Sequence, residues 1–291
     1  MARARAARVA TAVVALLIAA CGKGGGAPPD AAPDAPPPPP VLGKVSVEVR
    51  GWPTIAGVAP TSDALAERLQ RALAASGVYR ADGKGTVRVR AEVMVALDGP
   101  PEPLTAATIV RADLEDDLPL HDRVLVEEPR PAPEDAPAKA TAAVERAIDL
   151  AAAGVITKER LRQADPRALD AAFAAGDREH QLYALAVVAE KRPRGFRDRA
   201  AALLASQDEE LRDAAIGAIA RVGDASSLPA LTSLAKFSDA DVLRRVLPAI
   251  AAIGGSEARD YLEFVRSGHA EPAIRELAAE ALAKMPPRAQ P

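Results

Sequence analysis

The chain is poor in the residues from which most active sites are made. Among 291 residues there are one cysteine, three histidines, one tryptophan, three tyrosines and four phenylalanines. The lone Cys21 has no partner for a disulfide, so covalent cross-links do not staple the fold. His121, His180 and His269 stand far apart, and none has a second histidine at helical ligand spacing, so no metal centre is expected. No Gly-x-Ser-x-Gly elbow occurs, which leaves nucleophilic catalysis without a candidate. Aromatics make up only 3% of the chain and the formal charge is -3, so it lacks both the stacking platforms and the basic balance of a nucleic-acid binder. GVYRADGKG (Gly77 to Gly85) is no phosphate loop. Five residues separate its outer glycine from the next where four are required, Gly85 follows Lys84 where Ser or Thr is needed, and the stretch leads from helix to strand. The adjacent carboxylates Asp116 and Asp117, and Glu127 and Glu128, point opposite ways on extended chain and read as solvated charge. The expectation is a chain with no catalytic, cofactor or metal site, no nucleic-acid partner and no small-molecule substrate.

What the chain does have begins with its first twenty residues. Arg3, Arg5 and Arg8 precede a run of small and apolar residues from Val9 to Ala20, about 12 long and too short to span a bilayer as a finished helix. The run ends in IAAC, which resembles the lipobox of bacterial lipoproteins. That resemblance implies cleavage between Ala20 and Cys21, diacylglyceryl attachment to the Cys21 sulfur and acylation of the new amino terminus. Residues 1–20 are thus expected to be a lipoprotein signal peptide, and losing its three arginines takes the formal charge from -3 to -6. Residues 21–43 follow as a Pro/Gly-rich tether with five consecutive prolines at Pro36 to Pro40, extended at about 3.1 Å per residue where polyproline geometry holds. Gly22 after the anchor residue resembles the enteric pattern for the outer membrane. The implied place is the bacterial cell envelope, facing the periplasm.

Residues 44–153 read as a small α+β domain. Lys44 to Arg50 alternates valines with polar residues as a half-buried strand does. Ser62 or Asp63 can cap a helix from Ala64 to Ala75 that carries Leu65, Leu69 and Leu73 on one face and stops at Gly77. Strands are expected over Gly85 to Leu97, Ala107 to Leu114 and Arg123 to Glu127, then a helix from about Pro137 to Ala153. That order predicts helices on one face of a mostly antiparallel sheet, with Trp52 in its core. The element order is similar to that of small α/β domains of envelope lipoproteins.

Residues 154–285 read as a helical repeat domain, in which the stretch from Asp177 to Met285 repeats itself every 31 positions. Asp177, Asp208 and Asp239 align as helix caps, with Ala270 in the fourth copy. Behind them run HQLYALAVV (His180 to Val188), LRDAAIGAI (Leu211 to Ile219), VLRRVLPAI (Val242 to Ile250) and IRELAAEAL (Ile274 to Leu282). Gly223 and Gly254 close two copies, and Gly217 with Pro248 predicts a shared kink. Ala200, Leu231 and Leu262 form one apolar column of a second helix, and Leu203, Leu234 and Val265 another. His180 falls on the packing column of Leu211 and Val242, His269 in an inter-helix turn and His121 in a loop. Val155 to Gly176 should start the stack; Glu276, Glu280 and Lys284 give its last helix a polar face; residues 286–291 read as a disordered tail. The pattern resembles HEAT repeats, in the short variety also seen in phycocyanobilin lyases. The resemblance implies a right-handed stack of paired helices serving protein-protein contact, here a non-catalytic scaffold for an unidentified envelope protein. The second helices, with Arg197, Arg199, Glu257, Arg259 and Glu263, are the candidates for contact. A repeat-family enzyme, lyase-like or metal-dependent hydroxylase-like, is the rival reading. Such hydroxylases hold iron through His-Glu pairs, whereas Glu179-His180 has the reverse order. An accessory role in envelope assembly or transport is a third.

Overall fold

The computed structural model describes residues 38–81, 85–97, 102–114, 118–175, 177–235 and 239–285. The signal and anchor residues, Ala20 and Cys21 included, lie outside these, as do Lys84, Asp116, Asp117 and the 286–291 tail.

Four strands form one sheet in chain order: β1 (Leu42–Arg50), β2 (Val87–Leu97), β3 (Leu104–Asp113) and β4 (Leu120–Glu128). Helix α1 (Ser62–Ala75) carries the chain from β1 back to pair β2 in parallel, and β2, β3 and β4 then follow as an antiparallel meander. Alternation sets the two faces. Val89, Val93, Leu104, Ala106 and Val110 are wholly buried under α1 and α2, while Arg88, Arg90, Arg111 and Arg123 point away into solvent. On α1, Leu65, Leu69 and Leu73 are the buried stripe, as their spacing requires. The cap is Thr61, whose Oγ1 accepts from the Ala64 N–H at 3.2 Å, because Ser62 already lies in the first turn. Trp52 is half-buried against the sheet core and donates from Nε1 to the Gly57 carbonyl.

Helix α2 (Ala136–Arg162) departs from expectation. It does not end near Ala153 but runs on unbroken through Gly154, 27 residues spanning about 40 Å. Its first half lays Ala140, Ala143, Ala147 and Ala151 against the sheet, where small side chains allow close approach. Its last turns put Leu161 into the core of the helical stack. One helix therefore belongs to both regions.

The stack continues through α3 (Pro166–Ala175), α4 (Arg178–Lys191), α5 (Arg197–Ala202), α6 (Glu209–Val222), α7 (Leu228–Leu234), α8 (Ala240–Ile253), α9 (Gly255–Gly268) and α10 (Pro272–Lys284). The long helices α4, α6, α8 and α10 lie side by side in order, with α5, α7 and α9 as the second helices of the hairpins. Their apolar residues form a single continuous core. Alone, one hairpin would expose the side that its neighbour covers.

Candidate interaction surfaces

The 31-residue period survives at the level of atoms. Asp177 accepts from the Glu179 and His180 N–H groups, Asp208 from Leu211 and Asp239 from Val242, each capping the helix that follows it. In the fourth copy α10 starts after Glu271 with no side-chain cap. Ala200, Leu231 and Leu262 are fully buried, as is Val265; Leu203 and Leu234 are half-buried. Gly223 and Gly254 both follow the last helical residue of their copies. Only Gly254, at φ 75°, uses the left-handed conformation. Gly223 is extended, and a Cβ there would meet the Ile219 carbonyl at 2.5 Å, so close packing requires the glycine. Gly217 and Pro248 lie on the exposed side of α6 and α8, which stay helical throughout.

Ion pairs run from copy to copy at about the same step. Arg178 binds Asp208 at 2.7 Å and also Glu210, Arg245 binds Asp213 at 2.8 Å, Arg199 binds Asp170 at 3.1 Å and Arg221 reaches Glu190 at 3.6 Å. Each pair is at least partly open to solvent and contributes about 1 kcal/mol or less, so the ladder marks the register while apolar burial holds it. The second-helix charges named above are partly spoken for within the molecule. Arg197 pairs with Asp198 and Asp224, Arg199 with Asp170, and Glu263 with Arg266.

At the junction with the sheet sit the most deeply buried charges among the described residues. Lys158, 4% exposed, donates from Nζ to the His121 carbonyl and to Asp122 Oδ1, both at 2.8 Å, and to Glu179 Oε2 at 3.2 Å. One ammonium thus ties β4 to the first turn of α4. The next residue, Glu159, is wholly buried and accepts a two-pronged bond from Arg162 at 2.7 and 2.8 Å and another from Gln163 at 2.9 Å. Gln163 also reaches the Val78 carbonyl, and burial beside Glu159 pushes the Tyr79 phenol up. Gly154 makes room for this arrangement, since a Cβ on it would overlap the Asp122 carboxylate at 1.6 Å. The stack's opening end is therefore sealed by α2, α3 and the sheet domain. At its other end Glu276, Glu280 and Lys284 face solvent, as a terminal repeat requires.

His121 lies on β4 and not in a loop. Its imidazole is held below the usual range first by burial, then by Lys158 and Arg123, with Glu179 opposing and Arg111 adding to the effect. His180 is half-buried as its column predicts, with Nδ1 3.1 Å from Asp177 Oδ2 and a buried Nε2 that finds no hydrogen-bond partner. His269 is buried at the turn after α9 and accepts from the Glu271 N–H. Glu127 is exposed, whereas Glu128 turns toward α2 and pairs with Arg146. Among the described residues no group of His, Cys, Asp and Glu side chains is placed to hold a metal, and no helix is long and apolar enough to cross a membrane.

Composition hid one surface. Overall charge is negative, but pairing places Ser46 beside Arg90, Arg90 beside Arg111 and Arg111 beside His121 in one row across the open face of the sheet. The VRVR alternation of Val87 to Arg90 was the signal in the sequence, because every second residue of a strand shares a face.

Comparison with curated proteins and with solved structures returned no match. The family model for HEAT repeats matches residues 164–247 and again residues 196–283. Those matches cover the hairpins from α3 through α10 that stack in register, so this carboxy-terminal segment is a HEAT-like helical stack.

Proposed function

We propose that the protein is a lipid-anchored bacterial envelope lipoprotein that holds a partner protein on its HEAT-repeat stack without catalysing a reaction. The observation that carries the scaffold reading is the continuous core of α3 to α10, sealed at both ends, which leaves a long side surface to solvent. The anchor reading is carried by IAAC and the signal-like residues before it, with Cys21 as the lipidated residue. Within the repeat family, the 31-residue period favours the short variety found in phycocyanobilin lyases, used here as scaffold. The proposed setting is the periplasm-facing side of the envelope, the outer membrane in particular.

Two experiments test these halves separately. Cys21→Ser should shift the chain from the membrane to the soluble fraction and abolish incorporation of labelled palmitate; a mutant still membrane-bound would remove the anchor. The purified chain, immobilised and challenged with envelope extract, should retain a defined protein, and Leu247→Asp, which breaks the stack, should release it. Retention of nothing at any salt concentration would remove the scaffold.

A further inference from the structure

The open face of the sheet carries the feature that neither the repeats nor the anchor explains. Two depressions adjoin each other at one end of it. The larger, about 640 Å³, is lined by Lys44, Ser46, Gly85, Arg88 and Arg90, and a second of about 390 Å³ adjoins it at Thr86, Arg88 and Asp113. Glycine builds the floor. A Cβ on Gly43 would lie 2.2 Å from the Gly85 carbonyl oxygen, and one on Gly85 would lie 2.0 Å from that of Val41, so only glycine lets these segments close up beneath the basic side chains.

The charges are unevenly spent. Arg90 is held by Asp113 at 2.6 Å, which fixes its guanidinium in place. Lys44 and Arg88 make no ion pair with a described residue, and Arg111 stands beside Arg90 on the next strand. Among the described residues the lining brings Lys44, Arg88 and Arg90 together against the one carboxylate of Asp113, with the Ser46 and Thr86 hydroxyls among them and Arg111 as a fourth cation next to Arg90. Three of the four are arginines, whose forked N–H groups match phosphate oxygens.

The geometry points to a phosphate-binding site at the β1–β2 end of the open sheet face, with Lys44, Arg88 and Arg90 as the ligating cations and Ser46 as a hydroxyl donor. The phosphate has two possible sources, a soluble phosphorylated compound or an anionic lipid headgroup. The second rests on the envelope reading above, since described chain begins at Pro38, just ahead of β1, and the proposed anchor lies 17 residues earlier.

The test uses the full chain with Cys21→Ser, so that no lipid of its own intervenes. Inorganic phosphate is titrated by calorimetry and by amide shifts of Ser46 and Arg88, and flotation is measured with phosphatidylglycerol and with phosphatidylcholine vesicles. Saturable phosphate binding assigns a soluble source. Flotation with phosphatidylglycerol vesicles alone assigns a headgroup. In either case Arg88→Glu and Lys44→Glu should each weaken binding at least about tenfold, the loss expected for a charged hydrogen-bond partner. Both positions are exposed, so their melting curves should match that of the parent. Absence of binding in both arms, or binding that both variants leave unchanged, overturns the site. Neither result bears on the anchor, which the Cys21→Ser fractionation decides on its own.

Discussion

The sheet domain and the helical stack solve the same burial problem in opposite ways. The sheet covers one face with α1 and α2 and leaves the other bare, exposing Met94, Ile109 and Leu125 together with its row of basic residues. The stack buries each hairpin against the next and closes both ends, one with a polar last helix and the other with the sheet domain itself. A repeat array has no internal signal for where to stop, so its ends must be made by something unlike the repeat. Here the non-repeating domain supplies one of them. The two regions share a structural member, α2, and the Lys158 ammonium on it bonds to both.

The largest expected effect comes from cutting that link. Lys158→Met leaves the nearly buried Asp122 carboxylate without its cation and should cost about 3–5 kcal/mol, the range for breaking a buried pair from one side. Gly154→Ala reaches the same bond through space by displacing Asp122 and should cost about 2–3 kcal/mol. Trp52 fluorescence reports the sheet domain and far-ultraviolet circular dichroism mainly the stack. In denaturant the two probes should give one midpoint for the parent chain and separate midpoints for Lys158→Met. Separate midpoints in the parent would mean that the shared helix does not couple the regions. Within the stack the step is smaller. Asp208→Ala removes a half-buried cap and its bond from Arg178, and should cost about 1 kcal/mol with no separation of the probes.

The difference between the regions also explains what could be read in advance. The stack was legible because each copy checks the others: Asp177, Asp208 and Asp239 recur at one interval, and each proves to cap its helix. The strands were legible from alternation, within about three residues at their ends. Gly154 misled because glycine ordinarily stops a helix, while here it admits a carboxylate from β4, a residue 32 positions earlier. Nothing in the sequence singles out Lys158 either, since its partners Asp122 and Glu179 come from separate elements. The basic depression was hidden twice over: net charge averages it away, and its walls come from β1 and β2, which a whole helix separates in sequence.

The smallest effect is expected where the two regions meet. His121 lies on the open face, next in its row to Arg111, with its carbonyl bonded to Lys158. Its imidazole titrates below its ordinary value of 6.5 because burial and the surrounding cations disfavour the charged form. The unfolded chain therefore takes up a proton first as pH falls, binds more protons than the native state and gains on it. Stability from this group is fully present above pH 6.5 and declines as pH drops through the lower native value. His121→Gln should flatten the stability curve in that window and leave it unchanged at pH 8. A His121→Gln curve with the parent's slope below pH 6.5 would show that neither burial nor the cations around β4 lower this imidazole in the native state.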